Sequence, residues 1–339
     1  MTWLPETASG ATSFARVFGL RPDLRDPYQH FAGLFWVRRL VDPVVLELVR
    51  LRIATLLACD RELRHRTDVA RDAGLTEAAI TALPDWPNSA AFGEEQRHAL
   101  AFAELFVMDP TAISDAERAR LRTTLSEPGF IAFVEALALF DGFMRFQVIL
   151  DIAPDDNEVT VVSAPDPGAA PHGSAPSDDG DAVANSPLAL QPETLLAFQR
   201  FYGTLWSHGH VPQSLKETAR LRNARVTGCN YCKAVRFAGA QTDGLDEDQI
   251  ARIDDGHAAS DLSDEQKAVL RFTDAFLVDP STFGPSDRAE LSRLFSAGQI
   301  VELAVGVALY MGFSKIAVSM AEIPELPVMV VPTPDWQPA

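Results

Sequence analysis

Apolar positions return at helical spacing along most of the chain. Val269, Leu270, Phe272, Ala275, Phe276 and Leu277 form one such stripe. Ser263 followed three residues later by Gln266 predicts its start as a capping box, and Asp279-Pro280 predicts its end. Gly244 stands where a preceding helix needs a left-handed cap, and Gly74 repeats that signal. The Phe-rich stretch from Phe130 to Phe146 predicts a second kind of helix, buried in a core or an interface. The most apolar segment runs from Ile300 to Met320 but carries Glu302 and Lys315. It predicts a buried core helix rather than a membrane span. Long alternating patterns are absent, and the short Val-rich tails predict extended arms. The fold class expected is all-α, a helical bundle.

The pattern occurs twice. Phe31, Gly33 and Trp36 recur as Phe201, Gly203 and Trp206. Leu51-Arg52, Gly74-Leu75, Glu95-Gln96, Asp109-Pro110 and Gly142-Phe143 all recur at the same offset of 170 residues. A constant offset over such a span implies duplication of a whole domain, with almost no insertions between copies. It is far too long for a solenoid repeat. The tails echo too: Val161-Val162 with Pro165-Asp166, then Val330-Val331 with Pro334-Asp335. Between the copies, residues 167–187 hold four prolines with Gly, Ser, Ala and Asp and no Phe, Tyr or Trp. That composition predicts a flexible linker. The expected organisation is therefore a first domain over 1–166, a linker over 167–187 and a second domain over 188–339.

With 339 residues, 47% hydrophobic and 22% charged, each copy is long enough to bury a core and the profile is that of a soluble globular protein. The formal charge of −18 repels phosphate backbones and anionic lipid, which argues against nucleic-acid and membrane partners. No basic region followed by an apolar stretch opens the chain, so no signal peptide is expected. Cys59, Cys229 and Cys232 are the only cysteines. Three do not make a disulfide framework; they fit a cytoplasmic protein in which any disulfide is catalytic.

Cys229 and Cys232 stand three apart after Gly228, a helix breaker, so they are expected on one face near the start of a new helix. Free N–H groups in such a first turn favour thiolate. Arg236 stands one turn beyond Cys232 on that reading and adds positive charge. This pattern suits thiolate attack on a peroxide or disulfide followed by resolution by the partner cysteine.

Glu217 twelve residues before Cys229, the Gly228-Cys229-Asn230-Tyr231-Cys232 run, Gly244-Leu245 and the Ser263 capping-box helix together resemble the carboxymuconolactone decarboxylase superfamily, in particular its AhpD-like alkylhydroperoxidases. The resemblance covers most of 190–320 and, more weakly, 20–150. It implies two tandem AhpD-like bundles, with Cys232 peroxidatic, Cys229 resolving and Glu217 part of a proton relay. It implies a peroxide substrate, an external dithiol reductant and no cofactor. It also implies a homo-oligomer: three duplicated chains would imitate a hexamer. The family's relay histidine position is Arg236 here, and arginine stays protonated, so it holds charge but does not shuttle protons. Tyr231 stands between the cysteines, where some members carry histidine; tyrosine titrates near ~10 and is a poor base at neutral pH. In the first copy Glu47 and Cys59 keep the spacing, but Glu62 occupies the second cysteine's position and Arg66 matches Arg236. That copy is expected to be structural or regulatory.

Plainer readings stand beside these. The two cysteines could be small buried apolar side chains, or could join His208 and His210 around a metal. Glu217 could serve only as a helix carboxylate paired with Arg220, a pairing that Glu47 and Arg50 repeat. Two other functions remain: a non-catalytic assembly or ligand-binding member of the superfamily, and, ranked lowest, decarboxylase or lactone chemistry.

Overall fold

The computed structural model describes the whole chain except residues 1, 6, 8–9, 170–172, 175–186, 322 and 339. It is all-α, and the helices recur in register. Pro22–Val37 and Pro192–Ser207 open the copies, each with proline in the first turn, where a missing N–H costs nothing. Pro43–Leu56 and Gln213–Val226 follow, then the one-turn helices Asp60–Leu63 and Asn230–Ala234. After shorter elements come Glu94–Met108 and Asp264–Val278; Ser263 and Gln266 form the expected capping box and Asp279 ends the second helix. Gly74 and Gly244 adopt the left-handed φ their positions require, +103° and +94°.

Each copy closes on a long apolar helix, within Asp115–Ile149 and over Ala297–Met320. The first breaks at Ser126, and the equivalent Ser296 caps a new helix in the second copy. Ala297–Met320 is long and apolar enough to cross a membrane, yet most of it is buried inside the protein. Its two charges are paired there: Glu302 with Arg21 and Lys216, Lys315 with Asp141.

The copies share one hydrophobic core that runs from Leu4 to Met320. They meet around an approximate two-fold axis. Gly142 lies against Ala308 and Gly312 against Ala138, the same pair of positions exchanged. Phe31 meets Phe198 at 6.2 Å and Tyr28 meets Phe201 at 6.3 Å, again an exchanged pair. Arg145 donates to the Leu277 carbonyl at 2.8 Å and Lys315, its counterpart, to the Val107 carbonyl at 2.7 Å.

The Val-rich tails are more than arms. Thr160–Val162 pairs in parallel with His65–Thr67, and Met329–Val331 with Val235–Phe237. Each tail thus returns to the strand that follows the one-turn helix. Just beyond that pairing it crosses Gly33 or Gly203, where a side chain would collide with the Pro165 or Asp335 carbonyl. Close approach explains why these glycines recur. The expected linker, 167–187, lies largely outside the described residues; within it, Gly173–Ser174 pairs antiparallel with Gln337–Pro338.

Candidate functional site

The cysteine pair sits at the junction of three elements. Gln213–Val226 ends in a left-handed turn at Gly228, φ +71°, and the Cys229 N–H reaches back to the Ala224 carbonyl at 3.1 Å. Cys229 then caps Asn230–Ala234, its Sγ accepting from the Cys232 N–H at 3.2 Å. Cys229 and Cys232 are joined as a disulfide, with Cα atoms 5.3 Å apart. Both are buried, at 0% and 4% exposure, among Ala224, Tyr231, Phe313, Ala317 and Val318. Tyr231 is half-buried, its ring centroid 6.4 Å from that of Phe313.

Glu217 and Arg220 hold this turn in place. The Arg220 guanidinium donates to both Glu217 oxygens at 2.6 Å, to the Cys232 carbonyl at 2.9 Å and to the Val235 carbonyl at 2.6 Å. Glu217 also accepts the Phe237 N–H at 3.3 Å. The pair is buried rather than solvated. The first copy repeats it: Arg50 binds Glu47 at 2.7 Å through two nitrogens and the His65 carbonyl at 2.9 Å, while Glu47 accepts the Thr67 N–H. Recurrence of Glu217 and Arg220 as Glu47 and Arg50 therefore has a packing cause in both copies.

Arg236 is not one helical turn beyond Cys232. The helix ends at Ala234, and Val235–Phe237 is a strand with Arg236 opposite Val330. Val, Arg and Phe suit a pleated surface, and the returning tail supplies the ladder. The Arg236 guanidinium donates to Glu247 at 2.8 Å and to the Lys233 carbonyl at 2.7 Å. Arg66 does the same with Glu77 and the Leu63 carbonyl.

Two neighbours of the pair escape a motif-based reading. Ser314, on the long apolar helix, donates to Cys232 Sγ at 3.3 Å, and Asn223 Nδ2 donates to Ser314 Oγ at 2.8 Å. At the equivalent positions the first copy has Met144 and Ile53. A comparison of the copies at the 170-residue offset carries that signal, because Ser314 and Asn223 both replace apolar residues of the first copy, Met144 and Ile53.

The first copy has filled the same place with charge. Glu62 replaces Cys232 and binds Arg50 at 2.7 Å, Arg61 at 2.9 Å and Gln147 at 3.0 Å. Burial works against the Glu62 anion, but Arg50 and Arg61 outweigh it and hold its carboxyl below the ordinary range. Cys59 is a free buried thiol. Burial, with the Glu62 charge beside it, pushes it up to about 12.

Among the described residues no group of three His, Cys, Asp or Glu side chains is arranged to hold a metal, so His208 and His210 are not gathered with the cysteines. The His210 N–H instead donates to Glu302.

Comparison with known proteins finds the same duplication. The Carboxymuconolactone decarboxylase family matches residues 24–105 and again 192–275. The uncharacterized protein Rv2313c of Mycobacterium tuberculosis is 27% identical over 260 residues, covering 74% of this chain and 84% of that protein. The uncharacterized protein YnjA of Escherichia coli is 31% identical over 113 residues, 33% of this chain and 62% of that protein.

Proposed function

The chain belongs to the carboxymuconolactone decarboxylase family through both of its copies, and from that premise we propose that the second copy is a thiol peroxidase or disulfide reductase of the alkylhydroperoxidase type. The supporting observation is the Cys229–Cys232 pair, bonded across one turn and braced by Arg220. In the reduced protein the Cys232 thiolate attacks the terminal peroxide oxygen. The O–O bond breaks, the alkoxide leaves with a proton as alcohol, and Cys232 becomes a sulfenic acid. The Cys229 thiol displaces the sulfenic oxygen as water and forms the disulfide. An external dithiol returns two electrons and two protons, reducing the pair and becoming a disulfide itself. Glu217 serves this cycle by fixing Arg220 and the turn. Tyr231 borders the pair, and Arg236 secures the strand beyond it.

The test is peroxide consumption by the full reduced chain with an alkyl hydroperoxide and a dithiol. Cys232→Ser is expected to reduce the rate by at least about 100-fold, since the remaining thiols lack a partner arrangement. Undiminished consumption would sink the reading.

A second reading, a non-catalytic assembly or ligand-binding protein, draws on the burial of both cysteines and on Arg236 being taken by Glu247. Thiol titration before and after stoichiometric peroxide separates the two: loss of two titratable thiols supports the enzyme, no loss supports the binding protein.

The protein works in the cytoplasm as a trimer, each chain supplying two bundles. Its partners are the peroxide and the dithiol, without nucleic acid or membrane. Light scattering at working concentration checks the assembly, and a monomer would contradict it.

A further inference from the structure

The helix Ala297–Met320 is apolar nearly throughout, and a buried hydroxyl on it needs a reason. Ser314 is 1% exposed and makes two hydrogen bonds. It accepts one from Asn223 Nδ2 at 2.8 Å, and its own proton is directed at Cys232 Sγ, 3.3 Å away. The amide occupies a lone pair of Ser314 Oγ and so leaves the hydroxyl proton for the sulfur. Asn223 is itself fully buried in the helix Gln213–Val226, which also carries Glu217 and Arg220. A sulfur in a disulfide is a weak acceptor, whereas a thiolate is a strong one. The chain Asn223–Ser314–Cys232 therefore does most for the reduced, ionised state of Cys232.

The fold does not require this chain. The first copy keeps the same backbone with Ile53 for Asn223, Met144 for Ser314 and Glu62 for Cys232. All three positions change together. Where the sulfur is absent, both polar groups that lead to it are absent.

Other ionisable groups also lie near Cys232. Arg220 takes its carbonyl and Glu217. Tyr231 and Cys229 lie on the same turn. On the long helix, the neighbouring Lys315 points to the first copy, at Asp141 and the Val107 carbonyl. Ser314 is a side-chain donor that the structure places on the sulfur.

We propose that Ser314 is a catalytic residue of the redox site, donating a hydrogen bond from its hydroxyl to the Cys232 thiolate, and that Asn223 is the positioning residue that aims it. This deepens the peroxidase reading and rests on Cys232 being the attacking sulfur.

The test reads thiolate reactivity without peroxide. The full chain is reduced, excess reductant is removed, and iodoacetamide labelling of the Cys232 peptide is followed by mass spectrometry across pH. A charge-assisted hydrogen bond is worth about 1.5–3 kcal/mol, or roughly one to two pH units. Ser314→Ala is expected to move the labelling midpoint up by about one unit, with labelling about tenfold slower well below the midpoint. Ser314→Thr is expected to restore it, and Asn223→Leu to move it up by less. Thermal melts of each variant show whether it is folded, and the Asn223→Leu midpoint carries the test if Ser314→Ala is not. An unshifted midpoint in folded Ser314→Ala or, failing that, in Asn223→Leu overturns the proposal, as does uniform slowing at every pH. Because no turnover is measured, a failed peroxidase assay and a failed serine role remain distinguishable.

Discussion

Gly142 lies so close to Ala308 that a Cβ on it would stand 3.0 Å from the Ala308 carbonyl oxygen, and Gly312 repeats the contact with Ala138 at 3.2 Å from its Cβ. The two closing helices therefore cross at a point where each copy contributes one glycine and one alanine. Small residues there let the backbones approach, and the shared core forms around the crossing.

A large side chain at that point should be costly. Gly142→Leu is expected to destabilise the chain by about 1–3 kcal/mol through overpacking, read as a lower midpoint in urea. Both copies should lose structure together, because the core is common to them.

Removing the carboxylate that binds Arg220 leaves a buried guanidinium without its counter-charge. Glu217→Ala is expected to cost about 3–5 kcal/mol, and Glu47→Ala less, since Arg50 keeps the Glu62 carboxylate at 2.7 Å. Urea unfolding of the two variants checks this. A Glu217→Ala chain of unchanged stability but lost peroxide consumption would instead assign Glu217 to proton transfer.

Glu135 supplies a pH-dependent term. Burial pushes its carboxyl up to about 8, with the Thr194 hydroxyl and the Arg38 charge opposing. Between the ordinary value of 4.5 and about 8, the unfolded chain has released this proton and the folded chain has kept it. Stability therefore falls as pH rises through that window. Glu135→Gln, which has nothing to ionise, should match the parent near pH 4 and exceed it progressively up to pH 8 in thermal melts. A difference in Tm that does not change with pH would contradict the assignment.

Cys59 should stay silent in the native chain. With its thiol pushed up to about 12 by burial, it is expected to resist iodoacetamide at pH 8 until the protein unfolds. Cys59→Ala should leave peroxide consumption unchanged. Labelling of native Cys59 at the rate of an exposed thiol would refute this.

Periodicity and the constant offset make the duplication and the helices legible in the sequence, and the capping box and left-handed glycines mark their ends. The three-residue strands are not legible, because their partners lie about 95 residues away in the tails and three positions carry no alternation. Arg236 reads as helical for the same reason: nothing local announces that the cysteine helix lasts a single turn. Glu217 and Arg220 are legible as a pair from their spacing, but their burial depends on the turn packed over them. Ser314 and Asn223 belong to no motif that the sequence singles out. Only folding brings them to the sulfur.

The returning tails have a topological consequence. Each copy carries both strands of its own two-stranded ladder, so a cut between residues 167 and 187 severs neither. The helix crossing and the Phe31–Phe198 and Tyr28–Phe201 contacts are non-covalent. Two separately expressed halves would each present a large unsatisfied apolar face with a ready-made complement on the other. The peptide connection between them then acts as a tether that keeps the right partner at high local concentration. Co-expressed fragments should find each other again as a heterodimer, turning a duplicated gene into a two-component protein.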